Sequence, residues 1–288
     1  MATVVKGADV ANSIKDDIRA RMLELKNKNI VPRIMLIAVG DDPANASYER
    51  GIVRVFDELG ISHEKTTLEA DVSQENLDKK FDEINNDTSV NGILVFRPLP
   101  KPLSIEHIAN AIDPQKDIDC LGYYNQACLG MGRTDMFFPC TAEAVVKFLD
   151  YEKIDTAYKN VVIIGRSLVV GRPLVSMLIS RNATVTCCHT KTRDIAERIS
   201  NADIVVTAAG KAGLLKGEMM VNAGRDCFCI DVGINPKPDG EKGICGDMDF
   251  ESVEPYAGRI TTVPGGVGSV TSTLLAEHVV RAAEMQLL

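Results

Sequence analysis

The chain has 288 residues, enough for two domains with cores of their own. One quarter of it is charged and 45% is hydrophobic, with no low-complexity tract, so it reads as globular throughout. A formal net charge of −8 argues against nucleic acid or an anionic membrane as partner, because both are met by basic surfaces.

The first residues lack the apolar core of a signal peptide, and no apolar segment approaches bilayer-spanning length. Eight cysteines are scattered without a C-x-x-C pair, and the four histidines show no ligand spacing. The expectation is a reduced, cytoplasmic protein with no metal site.

Val10, Ile14, Ile18 and Met22 recur every four residues and predict an amphipathic helix over 8–27. A strand over 33–39 follows, then a turn from Gly40 and a helix over 46–59 closed by Gly60. Strand-like residues at 61–68, a helix over 74–85 and a strand over 92–96 continue the alternation. Short connections of this kind suggest α/β architecture with a parallel sheet. Residues 98–140 read as irregular and rich in Pro, Gly and Asp, apart from a helix near 105–111; a loop region that long is usually functional. Thr141 is expected to N-cap a helix over 142–149, with a domain boundary close by.

Val161 to Ile164 form a β-branched run, read as a strand buried on both faces. At Gly165 the backbone can turn sharply and approach a ligand. Pro173 suits a first helical position, the run 174–179 has helical length, and 184–188 reads as the next strand. Such a β-turn-α-β unit presents backbone N–H groups and a helix N-terminus to an anion, as a pyrophosphate cradle does. The spacing, Gly165-Arg-Ser-x-x-x-Gly171, is not G-x-G-x-x-G, and an ordinary crossover turn is the competing reading. Arg166 and Ser167 lie in the turn, and His189-Thr190-Lys191-Thr192 follows the second strand. No Asp or Glu between 184 and 192 could take the ribose 2′-hydroxyl of NAD, so the expected cofactor is NADP. The plainer alternative is that Arg166 and Lys191 are solvated loop charges. Strands are expected at 204–208 and 227–232. Pro264-Gly-Gly-Val-Gly268 leads into a helix over 271–285, either as a close approach to a ligand or as a flexible turn.

Five motifs occur in order at natural spacing: Phe138-Pro-Cys-Thr141, Gly165-Arg-Ser-x-x-x-Gly-x-Pro173, Cys188-His-Thr-Lys-Thr192, Asp231-Val-Gly-Ile-Asn235 and Pro264-Gly-Gly-Val-Gly268. Together they resemble the methylenetetrahydrofolate dehydrogenase/methenyltetrahydrofolate cyclohydrolase family over essentially the whole length. The resemblance implies a folate-side domain from 1–141 and 271–288 and a Rossmann-type NADP domain from 142–270. It also implies folate in a cleft between them, a last helix packed back on the first domain, and a homodimer. Pyrophosphate and 2′-phosphate contacts would fall on Gly165, Arg166, Ser167 and Thr190, with Gly171 completing the turn. The backbone of Ile234 would meet the nicotinamide end. Tyr48, Phe96, Arg97, Pro264, Gly265 and Gly266 would flank the substrate, and Asp119 would anchor the pterin. A carboxylate suits that task because it accepts hydrogen bonds from an amino group and a ring N–H together.

The sequence departs from this pattern on the folate side. The family's Tyr-x-x-x-Lys becomes Tyr48-Glu-Arg-Gly-Ile52, so isoleucine stands at the lysine position beside Tyr48. Arg50 and Arg54 lie roughly 200° and 240° around the helix and cannot readily replace the amine. Val-Gln-Leu-Pro becomes Val95-Phe96-Arg97-Pro98, Asp-Gly becomes Asp119-Cys120, and Pro-Met-Thr becomes Ser269-Val270-Thr271. Hydride removal from a methylene bridge asks mainly for alignment of donor carbon and nicotinamide. Hydrolysis of the resulting methenyl cation asks for a positioned acid/base, whose loss removes ~10²–10⁴-fold in rate. The expectation is therefore an NADP-dependent dehydrogenase relying on Tyr48 and Asp119, with Ile52 inert and cyclohydrolase activity weak or absent. Other readings are a bifunctional enzyme using Tyr48 or a water chain, an NADP-binding regulatory paralogue, and a dehydrogenase for an altered pterin. A bland alternative makes Tyr48, Ile52, Val55 and Leu59 only a core stripe.

Overall fold

The computed structural model describes residues 2–224, 226–238 and 242–287. In chain order β1 (Thr3–Val5), α1 (Gly7–Asn27), β2 (Arg33–Val39), α2 (Pro43–Leu59) and β3 (Ser62–Leu68) come first. Then follow α3 (Gln74–Asn85), β4 (Gly92–Val95), α4 (Glu106–Ala111), α5 (Tyr123–Gly130) and α6 (Cys140–Tyr151). The next stretch holds β5 (Asn160–Ile164), α7 (Gly171–Ser180), β6 (Thr184–Cys188), α8 (Ile195–Ile199), β7 (Ile204–Thr207) and β8 (Phe228–Asp231). Last come β9 (Asn235–Pro236), β10 (Ile244–Cys245), α9 (Phe250–Val253), β11 (Arg259–Thr261) and α10 (Val267–Met285).

The chain divides into two compact units, 1–12 with 141–271, and 13–140 with 272–288. In the first, six strands pair in parallel in the order β1-β11-β8-β7-β5-β6. β5, β7 and β8 are apolar and buried along nearly their whole length, as strands covered on both faces must be. β6 closes the sheet and alternates in exposure, as an edge strand does. The first residues join this unit because β1 pairs with β11, whereas the sequence reading groups them with the following 130 residues. In the second unit β3-β2-β4 form a parallel three-stranded sheet. Phe81 and Leu77 of α3 and Ile108 of α4 pack over Ile37 and Ile93 to make its core.

Several local expectations need correcting. Helix α6 starts at Cys140, so Thr141 lies inside the first turn and is not the N-cap. Pro173 is the third residue of α7 rather than the first, and α10 begins at Val267, within the glycine loop. Helix α2 begins three residues early, with Pro43 at the position where its missing N–H costs nothing. Helix α5 falls inside the stretch expected to be irregular; its eight residues bury only Asn125, Cys128 and Leu129, too few to print a period. Among the described residues no helix is long and apolar enough to cross a membrane, and all eight cysteines are unbridged.

Candidate active site

In the first unit β5 lies between β6 and β7, so successive crossovers leave it in opposite directions and open a crevice beyond its carboxyl end. Gly165 sits at that point with φ +144°, its N–H donating to Cys188 O at 2.9 Å. A Cβ there would overlap the carbonyl of Ala208, and one on Gly171 would overlap the carbonyl of Gly165. The turn is thus pressed against both the end of β7 and the start of α7, and only backbone can line it. Ser167 Oγ accepts from Val170 N at 3.1 Å and closes the turn that leads into α7, whose N-cap position is Val170 and carries no side-chain cap. Arg166 and Ser167 are exposed beside it. After β6, Thr192 Oγ1 accepts from His189 N at 2.9 Å and His189 Nδ1 from Lys191 N at 3.1 Å, which leaves Thr190 exposed at the tip. Backbone N–H groups, a helix N-terminus and exposed cations fit a phosphorylated dinucleotide.

The glycine loop near the end is pinned rather than loose. Gly265 O accepts from Gly7 N at 2.8 Å, Thr262 Oγ1 donates to Pro264 O at 3.0 Å, and Ser269 Oγ donates to Gly266 O at 2.7 Å. A cleft of about 760 Å³ in this unit is lined by Asp231, Thr261 and Pro264 among others. Ile234, between β8 and β9, is 63% exposed.

In the second unit the Tyr48 and Phe96 rings meet edge to face, centroids 6.2 Å apart. Ile52, one turn beyond Tyr48, is completely buried, and Phe96 is buried as well. Burial pushes the Tyr48 phenol well above its ordinary value, reinforced by the neighbouring Asp119 and Cys140 and opposed by Arg97. Arg97 Nη2 lies 3.2 Å from Asp119 Oδ2, while Cys140 N donates to Asp119 Oδ1 at 3.0 Å. Tyr48, Ile52, Phe96, Arg97 and Asp119 therefore belong to one unit, and Gly165, Arg166, Ser167, Gly171, Thr190, Ile234, Pro264, Gly265 and Gly266 to the other.

Residues 139–287 match the description "Tetrahydrofolate dehydrogenase/cyclohydrolase, NAD(P)-binding domain", and residues 5–119 match "Tetrahydrofolate dehydrogenase/cyclohydrolase, catalytic domain". The chain belongs to the tetrahydrofolate dehydrogenase/cyclohydrolase family. It is 45% identical over 284 residues to the Bifunctional protein FolD of Clostridium botulinum, covering 99% of each chain. The crystal structure of the Campylobacter jejuni FolD methylenetetrahydrofolate dehydrogenase/cyclohydrolase superposes with a TM-score of 0.94, at 36% identity over 99% of both chains. The Trypanosoma brucei methylenetetrahydrofolate dehydrogenase-cyclohydrolase, solved with NADP and an inhibitor, superposes at 0.92 with 32% identity, over 99% and 98% of the two chains. The fold is thus that of a two-domain α/β family member whose nucleotide domain is Rossmann-type.

Three features of this family member escape sequence reasoning. Asp117 is buried and accepts from Leu121 N at 2.7 Å, Gly122 N at 2.9 Å and Asn125 Nδ2 at 3.0 Å, so it folds the loop behind Asp119. Burial pushes its carboxyl up to about 6, against those three donors. His278 of α10 places Nδ1 2.7 Å from Ile118 O and 3.5 Å from Cys140 Sγ, holding the backbone just before Asp119. In the nucleotide domain, Asp247 accepts from Ala209, Gly210 and Lys211 N–H groups after β7 and from Asn235 after β8. His278 and Asp247 carry no local pattern because their partners come from elsewhere in the chain, and Asp117, whose partners lie four to eight residues on, sits in a loop with no periodicity to mark it.

Proposed function

We propose that the protein oxidises 5,10-methylenetetrahydrofolate to 5,10-methenyltetrahydrofolate with NADP⁺, and that it hydrolyses the methenyl product weakly or not at all. The folate-side unit would be 13–140 with 272–288, and the nucleotide unit 1–12 with 141–271. Asp119 would accept the pterin's amino and ring N–H groups. The Gly165–Gly171 turn would hold the pyrophosphate, with Arg166, Ser167 and Thr190 toward the 2′-phosphate and Ile234, Pro264, Gly265 and Gly266 toward the reacting end.

The observation that carries the reading is the pairing of a buried Ile52 with a buried Phe96 beside Tyr48. Bound NADP⁺ supplies the hydride acceptor, so oxidation asks of the protein mainly that it orient the substrate and exclude water, and buried hydrocarbon at residues 52 and 96 does not oppose that. Hydrolysis asks for a group that takes a proton from water and returns one to a ring nitrogen. Isoleucine and phenylalanine can do neither. Tyr48, its phenol raised well above the ordinary value, stays protonated near neutrality and is a donor rather than a base. The names of the relatives carry both activities, and the difference proposed for this chain rests on residues 52 and 96.

The test is an absorbance time course with methylenetetrahydrofolate and NADP⁺. Methenyl product that accumulates and decays only at its uncatalysed rate supports the reading. Rapid enzyme-dependent decay overturns the second half, and no methenyl formation at all overturns the first.

A further inference from the structure

We infer that Arg97 is a specificity-determining residue that reads the 4-oxo group of the pterin alongside Asp119. The inference rests on the proposed role of Asp119 and goes beyond it. Arg97 follows β4 directly after Phe96, and its guanidinium reaches Asp119 Oδ2 at 3.2 Å. The two side chains are 29% and 14% exposed, so neither is lost in the core nor freely solvated.

A carboxylate has about four acceptor positions, two on each oxygen. Here Oδ2 takes one hydrogen bond from Arg97 and Oδ1 takes one from Cys140 N. One acceptor position therefore remains on each oxygen. The guanidinium has five N–H donors, and among the described residues its hydrogen bond is to Asp119. The pair thus offers a ligand two acceptors and, beside them, a charged donor. A 2-amino-4-oxo pterin carries the complementary edge: an amino N–H, a ring N–H, and the 4-oxo oxygen. The first two donors would fall on Asp119 and the oxygen on Arg97. In a 4-amino analogue a second amino group replaces the oxygen and the adjacent ring nitrogen loses its hydrogen, so N–H would turn toward N–H at Arg97 and a lone pair toward Asp119; the share that belongs to Arg97 is what changes when Arg97 alone is replaced. Leaving a charged donor without an acceptor is the kind of mismatch by which a polar site rejects a near-isosteric ligand.

The plainer role for Arg97 is to balance the charge of Asp119, and that role treats 4-oxo and 4-amino ligands alike. The experiment compares the full-length protein with Arg97→Leu and Arg97→Lys variants. It measures KM for methylenetetrahydrofolate and the inhibition constant of a 4-amino-4-deoxy tetrahydrofolate analogue, with KM for NADP⁺ as control. Arg97→Leu should raise the folate KM by ~10-fold or more and tighten the 4-amino inhibitor, with the NADP⁺ KM steady. Arg97→Lys, which keeps a charged donor, should retain most of the preference for the 4-oxo ligand. If both ligands weaken in equal proportion in Arg97→Leu, Arg97 only balances charge and the inference falls. An Asp119→Ala variant separates the two levels: normal folate kinetics there would remove the Asp119 reading and the Arg97 inference together. Lost folate turnover in Asp119→Ala, with an unchanged ligand ratio in Arg97→Leu, would remove the Arg97 inference alone.

Discussion

The Tyr48 and Phe96 rings stand nearly perpendicular at 87°, edge to face, with Ile52 buried one helical turn from Tyr48 on the same face of α2. Where the family pattern has an amine and an amide, this chain thus has two hydrocarbon side chains against a protonated phenol. Ile52→Lys alone should cost several kcal/mol of stability, because the ammonium is buried without a partner. Adding Phe96→Gln supplies an amide oxygen, so the double variant should regain part of that loss and acquire measurable methenyltetrahydrofolate hydrolysis. Denaturant midpoints and the decay of methenyl absorbance check both effects. A double variant less stable than Ile52→Lys and without hydrolysis would mean that the three residues form only a core stripe.

Cofactor choice turns on the loops beyond β5 and β6. Arg166 and Thr190 are exposed there, and β6 ends in Cys188-His-Thr without a carboxylate. Arg166→Ala should weaken NADP⁺ binding by about 1.5–3 kcal/mol, the scale of a charge-assisted hydrogen bond, and NAD⁺ binding far less. Titration of both nucleotides against the variant decides the matter, and an equal loss for both would refute the 2′-phosphate contact.

Much of this architecture is legible in sequence wherever the signal is local. Arg33–Val39, Gln74–Asn85 and Thr184–Cys188 match their expected spans, since apolar runs and 3.6-residue periods are written within each segment. The nucleotide turn is legible for the same reason, as Gly165 and Gly171 mark close backbone approaches. What escapes is set by distant partners. Cys140 N meets Asp119 across 21 residues, and His278 reaches Ile118 across 160. Cys120 is equally hidden: buried at φ +53°, it occupies a left-handed conformation that favours glycine, as the family's Asp-Gly pattern would have it.

Asp117 makes stability depend on pH in a particular direction. Its folded-state carboxyl is raised by burial from the ordinary 3.8 to about 6, so between those values the folded chain binds a proton that the unfolded chain has released. Its contribution is fully present below about pH 4 and is lost as pH rises through about 6, by at most about 3 kcal/mol. Asp231, also raised by burial, acts in the same sense. Urea unfolding of the protein and of Asp117→Asn, each followed from pH 4 to 7, should give a flatter profile for the variant. Parallel profiles would show that Asp117 does not titrate there.

Asp247 offers the cleanest contrast between charge and shape. Its Oδ2 accepts from Ala209 N at 2.6 Å and Gly210 N at 3.0 Å, and its Oδ1 from Lys211 N and Asn235 Nδ2, both at 2.8 Å. The residue is completely buried, and it joins the loop after β7 to the loop after β8 that carries Ile234. A buried donor left without an acceptor costs about 1–3 kcal/mol, so Asp247→Ala should be severely destabilising. Asparagine is nearly the same shape but has one acceptor oxygen. Whichever way its amide is turned, an NH₂ group faces two N–H donors. Asp247→Asn should therefore lower the unfolding midpoint almost as far as Asp247→Ala, and raise the KM for NADP⁺ more than that for folate in whatever protein folds. Thermal unfolding of the two variants side by side is the measurement. An Asp247→Asn protein with unchanged midpoint and unchanged NADP⁺ kinetics would mean that the four-donor arrangement does not hold these loops.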